Sequence, residues 1–355
     1  MVSLGLNSSL GSVGAAGAWF AGAAFAVADP SDGVAKLPAF VADFRRDRHA
    51  VTPVIAANIA AASVDALVSP QSVPFSDLFV FTRGSVAEYI DAAGIAQQAA
   101  ADVPRFDYRN GYRQLLLEGS ATNLFVNAFT PATQRITVTN AAQYTVSCRG
   151  SGSLILAGAA TATVTQAAPV TFTATSASLT LTVNGALSRA QLETGAAASS
   201  FVQTETMAAT RNADSCRLSP AGEALIQRGA ATFVLKWQGL YGSLGHLVGI
   251  GTGDEIIRFN TAQTNVIAGN SLSIASVTMP LPGFGICLGW STTGRSGSYN
   301  GGTIATDTTI PMTTGQVFVG RNQGGLFACG RYDSLTIWPF RAANTSIQAK
   351  AGAYA

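Results

Sequence analysis

The chain has 355 residues, room for two or three domains at the usual ~100–200 residues each. Charged residues make up only 11%, against about 25% in an ordinary soluble protein, and the formal net charge is +2. With lysine only at 36, 236 and 350, the clustered cationic footprint of a nucleic-acid binder is excluded, and the surface reads as neutral and covered by copies of itself or by neighbours.

Residues 1–28 carry no charged side chain, and the stretch from Ala15 ends in Ala26-Val27-Ala28 ahead of Asp29, the pattern of a secretory cleavage site. No Lys or Arg precedes the apolar run, as a signal peptide requires. The run is rich in Gly and Ala and broken by Ser and Asn, which argues against a membrane span. Residues 1–75 as a whole are Ala/Gly/Val-rich, with prolines at 30, 38, 53, 70 and 74 and no sustained periodicity. They read as an extended arm whose apolar side chains must be buried by something else, hence as an anchor. Deleting residues 1–70 is then expected to leave soluble β-domains. The basic cluster Arg45-Arg46-Asp47-Arg48-His49 reads as a solvated linker or a contact to an acidic neighbour.

Residues 76–120 predict a β-hairpin joint. Asp77 to Asp91 is a β-branched and aromatic run punctuated by Gly84 and Gly94, and Phe106 to Glu118 predicts a hairpin around Arg109-Asn110-Gly111. Residues 121–214 predict a first sandwich, because apolar and polar residues alternate in Arg135 to Thr139, Thr161 to Thr165, Val170 to Ala174 and Leu179 to Val183. Residues 215–355 predict a second sandwich, with strands at Ala231 to Trp237, His246 to Ile250, Glu255 to Phe259, Leu272 to Met279, Gly285 to Trp290, Gln316 to Gly320 and Ser334 to Phe340. A short helix is expected at Asn344 to Lys350. The predicted class is therefore all-β: two antiparallel, jelly-roll-like β-sandwich domains behind an anchoring arm and a hairpin joint.

Two phrases bracket the first sandwich. Val103-Pro-Arg-Phe-Asp-Tyr108, running through Leu115-Leu-Leu-Glu-Gly119 to Thr122-Asn-Leu124, resembles a joint recurrent in bacteriophage head-fibre and tail-fibre proteins, where it leads into a carbohydrate-binding-module-like sandwich. Gln191-Leu-Glu-Thr-Gly195 with Ser200-Phe201, followed by Thr210-Arg-Asn-Ala-Asp214, resembles the way out of that sandwich. The second block resembles the concanavalin-A-like, laminin-G-like sandwich in Phe284-Gly-Ile-Cys-Leu-Gly-Trp290, Ser298-Tyr-Asn-Gly301 and Tyr332 to Trp338. The resemblance implies a structural appendage on the exterior of a virion. Its N-terminus would dock on capsid, portal, tail or baseplate proteins and its C-terminal sandwich would contact host surface polysaccharide. It also implies a homo-oligomer, with a trimer expected because fibres rely on closed symmetry. A purely structural decoration, collar or baseplate component is the alternative, and a glycan depolymerase the third reading.

The chemistry expected is adhesive and without a cofactor or metal. Glycan cleavage needs two carboxylates facing across a cleft, yet Asp254 and Glu255 are adjacent and Glu205 and Glu223 lie in connecting sequence. His49 and His246 have no Gly-x-Ser-x-Gly elbow to serve, and Gly249-Ile-Gly-Thr-Gly253 lacks the Lys of a phosphate loop. Sugar rings stack on aromatic side chains and bond to polar groups beside them. Tyr241 and Tyr299, standing among Gly, Ser and Asn, lead the ligand-binding candidates, with Asn300 and Trp290 beside them; Trp237 and Trp338 fall on buried faces. The four cysteines form no Cys-x-x-Cys pair. A Cys287–Cys329 disulfide would need neighbouring strands, and a bacterial cytoplasm would leave the thiols reduced.

Overall fold

The computed structural model describes residues 25–241, 245–251, 254–259, 265–268, 272–277, 283–310 and 314–352. Within them the chain is all-β, built as two antiparallel sandwiches with a few helices of one or two turns. No helix among the described residues is long and apolar enough to cross a membrane.

The first sandwich packs a four-stranded sheet, ordered Gln134–Thr137, Ser178–Asn184, Ser153–Gly158 and Ala162–Thr165, on a three-stranded one, ordered Val170–Thr173, Gln143–Gly150 and Leu187–Thr194. Period-two alternation decides which face is which, also in strands the sequence reading did not single out. Gln143–Gly150 turns Tyr144, Val146 and Cys148 into the core and sends Thr145, Ser147 and Arg149 to the opposite face. Leu154, Leu156, Leu179, Leu181 and Leu192 complete the filling, each closed to solvent. At about 1.5–3 kcal/mol for each side chain so buried, this core is what holds the two sheets together.

The second sandwich is larger. One sheet runs Ala305–Asp307, Gly294–Tyr299, Gly283–Ser291, Ala231–Gln238, Gly330–Trp338, Phe40–Asp43, Arg48–Val51 and Gln71–Ser72; Gln114–Leu117 also pairs with Gly330–Trp338 and carries Arg105–Asp107 beyond it. The facing sheet runs Leu272–Ser276, Asn265–Ala268, Asp254–Phe259, His246–Ile250, Val317–Val319, Ser215–Leu218 and Phe79–Thr82. Phe233, Leu235, Trp237, Ile286, Leu288, Trp290, Leu335 and Ile337 of the first sheet meet Leu218, Val248, Ile250 and Val319 of the second. The expected helix forms at Asn344–Lys350 and lies against Gly283–Ser291. Two glycines of Phe284-Gly-Ile-Cys-Leu-Gly-Trp290 make that seat: a Cβ on Gly289 would lie 2.7 Å from Ile347 Cδ1, and one on Gly285 would lie 2.5 Å from the Ala351 carbonyl oxygen.

The N-terminal segment departs from the expectation of an extended arm over 1–75. Residues 1–24 lie outside the described residues, but Phe40–Asp43 pairs with Gly330–Trp338 in the register Phe40↔Ile337 to Asp43↔Ser334, and Arg48–Val51 adds the next strand. Phe40 and Phe44 are closed to solvent in the core of the second sandwich. The apolar segment is thus buried by its own chain, through partners almost 300 positions away that local periodicity cannot show. Its basic cluster is the turn of that hairpin. Asp47 there adopts a left-handed φ of 52°, Arg45 Nε lies 2.6 Å from Asp333 Oδ1, and Arg113 Nη2 lies 2.8 Å from Asp47 Oδ1.

The joint at 76–120 is likewise woven into the second sandwich. Phe79–Thr82 is an edge strand of its smaller sheet, and Arg105–Asp107 and Gln114–Leu117 form the hairpin foreseen around Arg109-Asn110-Gly111, with Gly111 at φ 79°. All four cysteines are free. Cys287 and the segment after Cys329 are separated by Ala231–Gln238, which rules out the bridge between them.

Losing the first 70 residues therefore removes two strands of the large sheet and two core phenylalanines. Such a truncation is expected to aggregate or to unfold without a cooperative transition, and a soluble, cooperatively unfolding product in size-exclusion and urea experiments would sink the assignment. Phe40→Ala in the full chain should lower stability by about 3–5 kcal/mol.

Candidate functional site

The two bracketing phrases, whose Arg105 and Asp214 stand 109 positions apart in the chain, meet in one buried ionic clasp. Arg105 Nη2 lies 2.5 Å from Asp214 Oδ2, and Arg105 Nη1 lies 2.8 Å from Glu118 Oε2. Arg83 Nη1 reaches Asp214 Oδ1 at 3.1 Å, and Arg211 Nη2 approaches Glu118 Oε2 at 3.4 Å. Ser200 closes the ring, its hydroxyl donating to Glu118 Oε2 at 2.6 Å and its amide to Glu118 Oε1 at 2.8 Å. The Glu118 amide in turn donates to Asp214 Oδ2 at 2.8 Å. Beside the clasp, Ala121–Asn123 pairs with Ala209–Arg211, so the strands that enter and leave the first sandwich run together.

The neighbouring motif residues finish the polar accounting. Asn123 donates to the carbonyls of Ala190 and Val202 and accepts from the amides of Phe125 and Leu192, which satisfies its side chain completely. Gln191 accepts from the Val202 amide at 2.7 Å and donates to Glu193. Burial alone would raise the Glu118 carboxyl. The guanidiniums of Arg211 and Arg105, with hydrogen bonds from Ser200 and Tyr241, outweigh it and hold the group well below the usual range. Three guanidiniums thus surround two carboxylates, an arrangement that resists being half-dismantled.

The four residues singled out by sequence do not come together. Tyr241 donates its hydroxyl to Glu118 and belongs to the clasp; burial and the adjacent carboxylate raise its pKa well above the ordinary value. Trp290 is 0% exposed in the core of the second sandwich, out of reach of any sugar. Tyr299 ends the strand Gly294–Tyr299 with its ring stacked on Phe284, centroids 4.9 Å apart, and burial raises its hydroxyl pKa. Asn300 is exposed, but its φ of 51° and the Gly302 amide bond to the Tyr299 carbonyl oxygen make it a turn residue.

The other sequence candidates are structural as well. Glu223 accepts from the Val317 amide and pairs with Arg217 at 3.2 Å. His49 packs among Phe44 and Phe75, and His246 is buried in a strand. A Cβ on Gly249 would lie 2.6 Å from Asn322 Cα, so that glycine serves strand packing.

An open cleft of about 530 Å³ lies elsewhere, on the outer face of the three-stranded sheet of the first sandwich. Tyr108 and Arg109 wall it on the hairpin side; Ser147, Arg149, Arg189 and Ser199 wall it on the sandwich side. Arg149 and Arg189 stand directly opposite one another in the pairing of Gln143–Gly150 with Leu187–Thr194. Like charges so placed repel, and Glu88, from the strand Ala87–Ile90, sits between them. It lies 3.2 Å from Arg149 and pairs with Arg189. Desolvation raises the Glu88 carboxyl, while the guanidiniums of Arg149, Arg189 and Arg109 act against that rise. Sequence reading missed this site because its residues converge only through strand register and a long-range hairpin contact.

No family model matches the chain and no curated protein matches it. Among solved structures, the carbohydrate-binding module CBM40 of Ruminococcus gnavus IT-sialidase bound to α2,3-sialyllactose is similar over 38% of this chain and 88% of its own, at 15% identity and a TM-score of 0.31. Leech intramolecular trans-sialidase (9% identity, TM-score 0.30) and Trypanosoma rangeli sialidase with the inhibitor DANA (11%, 0.30) each match over 38% of this chain and 25% of theirs. At such scores the fold assignment rests on the strand topology itself.

Two outcomes follow from the clasp. Asp214→Ala leaves Arg83 and Arg105 buried without that carboxylate and should cost about 3–5 kcal/mol, read from urea unfolding. Burial also pushes the Glu193 carboxyl up to about 7, against the hydrogen bonds from Ser199 and Gln191. A carboxyl near its ordinary value of about 4.3 in the unfolded chain and raised in the folded one stabilises fully below that lower value, and the contribution disappears as pH rises through the folded one. Between pH 5 and 8 the urea midpoint of the parent should therefore fall further than that of Glu193→Gln; equal falls would show that Glu193 does not titrate there.

Proposed function

We propose that this chain is a non-catalytic appendage protein of a virus particle, docked to other virion proteins and holding host-surface glycan in the cleft beside its first sandwich. The observation that carries the reading is the clasp. The phrases that resemble the fibre-protein joint are the residues that fix the first sandwich to the second, so a binding surface on the first is presented rigidly. Rigid scaffolds with polar-lined clefts are how shallow sugar sites are built. A non-catalytic role is supported by the state of the carboxylates near the cleft: Glu118 and Asp214 are ion-paired in the interior, Glu88 is tied between two arginines, and Glu193 is enclosed behind Gln191 and Ser199, which donate to it. The proposed contact thus shifts from the C-terminal sandwich, where Tyr241, Tyr299 and Trp290 are engaged in packing, to the seam.

Assembly as a homo-oligomer, a trimer first, fits the low charge. Exposed Val86, Ile95 and Val103, which flank or link the strands Ala87–Ile90 and Ala96–Ala99, favour contacts with neighbouring proteins. On a glycan array the purified chain should retain a defined subset of oligosaccharides and compete with particles for host adsorption, without releasing reducing sugar. Absence of any retained glycan would leave the purely structural decoration as the reading, and release of reducing ends would make it a depolymerase.

A further inference from the structure

The cleft has a charge imbalance that its own residues do not correct. Glu88 is the carboxylate between Arg149 and Arg189, and with 32% and 17% side-chain exposure both arginines keep a face toward the opening. Phe201 and Phe129 lie against the Arg189 guanidinium, 4.9 and 5.2 Å from centroid to Cζ, and fix its plane. Arg109 adds a third cation. Its side chain makes no hydrogen bond or ion pair among the described residues, although its amide is held by Asp107 Oδ1 at 3.0 Å. Asp107 attracts that guanidinium only through space and is shared: Oδ1 also takes Arg331 Nε at 2.7 Å and Oδ2 takes the Ile90 amide at 3.0 Å. Three guanidiniums thus line one opening, with Glu88 between two of them and Asp107, shared with Arg331, near the third; Ser147 and Ser199 are neutral neighbours.

Planar guanidiniums match the paired oxygens of carboxylate and sulfate groups, and such charge-assisted pairs outrank neutral hydrogen bonds. We infer that the seam cleft is an anion site for the acidic units of a glycan, with Arg109 and Arg149 on the charged group and Arg189 with the serines on flanking hydroxyls. The inference rests on the glycan-binding reading and deepens it. A compact cluster in a cleft, on a chain of net charge +2, fits a single acidic sugar and not a polyanionic nucleic-acid strand.

The test is binding of the full-length protein to a panel of uronate-containing, sulfated and carboxyl-reduced neutral oligosaccharides of matched length, with a poly-glutamate peptide as the non-sugar anion. Acidic members should bind at least about tenfold more tightly than neutral ones, with affinity falling as salt rises, and the carboxylated and sulfated arms report which acid is preferred. Arg109→Gln removes no hydrogen bond or ion pair among the described residues, only a through-space attraction to Glu88 and Asp107, so it should still fold and unfold cooperatively while losing about tenfold in affinity for the acidic members alone. Equal binding of acidic and neutral members, equal binding of the peptide, or unchanged affinity in Arg109→Gln would overturn the anion site while leaving glycan binding intact. Failure of every oligosaccharide would overturn both.

Discussion

A buried carboxylate pair held by three guanidiniums is the constraint on which the two-sandwich arrangement depends. Glu118 closes the lead-in to the first sandwich and Asp214 opens the way back into the second, so the clasp ties together the two points where the chain crosses between them. Replaced by leucines, such a crossing could be as stable; buried ion pairs earn their place through geometry more than through net energy. Each hydrogen bond here has one satisfactory partner, and a sandwich rotated by one residue in register would leave an arginine buried without its carboxylate. That selectivity gives Arg105, Glu118, Ser200, Arg211 and Asp214 one shared structural role in the two phrases.

The second sandwich is closed by a different device. Gly330–Trp338, near the C-terminal end, pairs with Ala231–Gln238 on one side and, on the other, with Phe40–Asp43 and Gln114–Leu117 in succession. Three widely separated segments must find this strand before the large sheet exists, and contacts of such separation form late and slowly. The first sandwich, whose strands are contiguous in sequence, has no such requirement. It can form before its ends are clasped, which places assembly of the clasp at the meeting of a finished module with an unfinished one.

What the sequence disclosed follows the same division. Four strands of the first sandwich were legible from period-two alternation, while Gln143–Gly150, Ser153–Gly158 and Leu187–Thr194 were not; most of the second followed from strand runs between glycine turns, and the terminal helix fell on the expected residues, Asn344–Lys350. Residues 35–75 were not legible as strands because Phe40 and Phe44 are buried by partners at the far end of the chain, a fact carried by no local pattern. The candidate ligand residues failed for a related reason. Tyr241 and Tyr299 sit among small polar residues, as surface aromatics do, yet Tyr241 answers to Glu118, 123 positions away, and Tyr299 to Phe284 across a strand pairing. Arg149 and Arg189 were invisible singly and became a site only as a facing pair.

The scarcity of charge takes on a different meaning once its location is known. Fourteen Lys, Arg, Asp and Glu side chains are buried among the described residues, six cationic and eight anionic. Such groups are almost never enclosed unless paired, and here most of them are, in the clasp, at Asp107–Arg331, at Asp333–Arg45 and at Arg295–Asp307. A chain with a net charge of +2 that buries more acid than base leaves its cationic excess outside the core. Part of that excess gathers where the hairpin meets the first sandwich, around Glu88. Internal pairing thus withdraws fourteen of the forty charged side chains, more acid than base, and leaves arginine concentrated at one cleft.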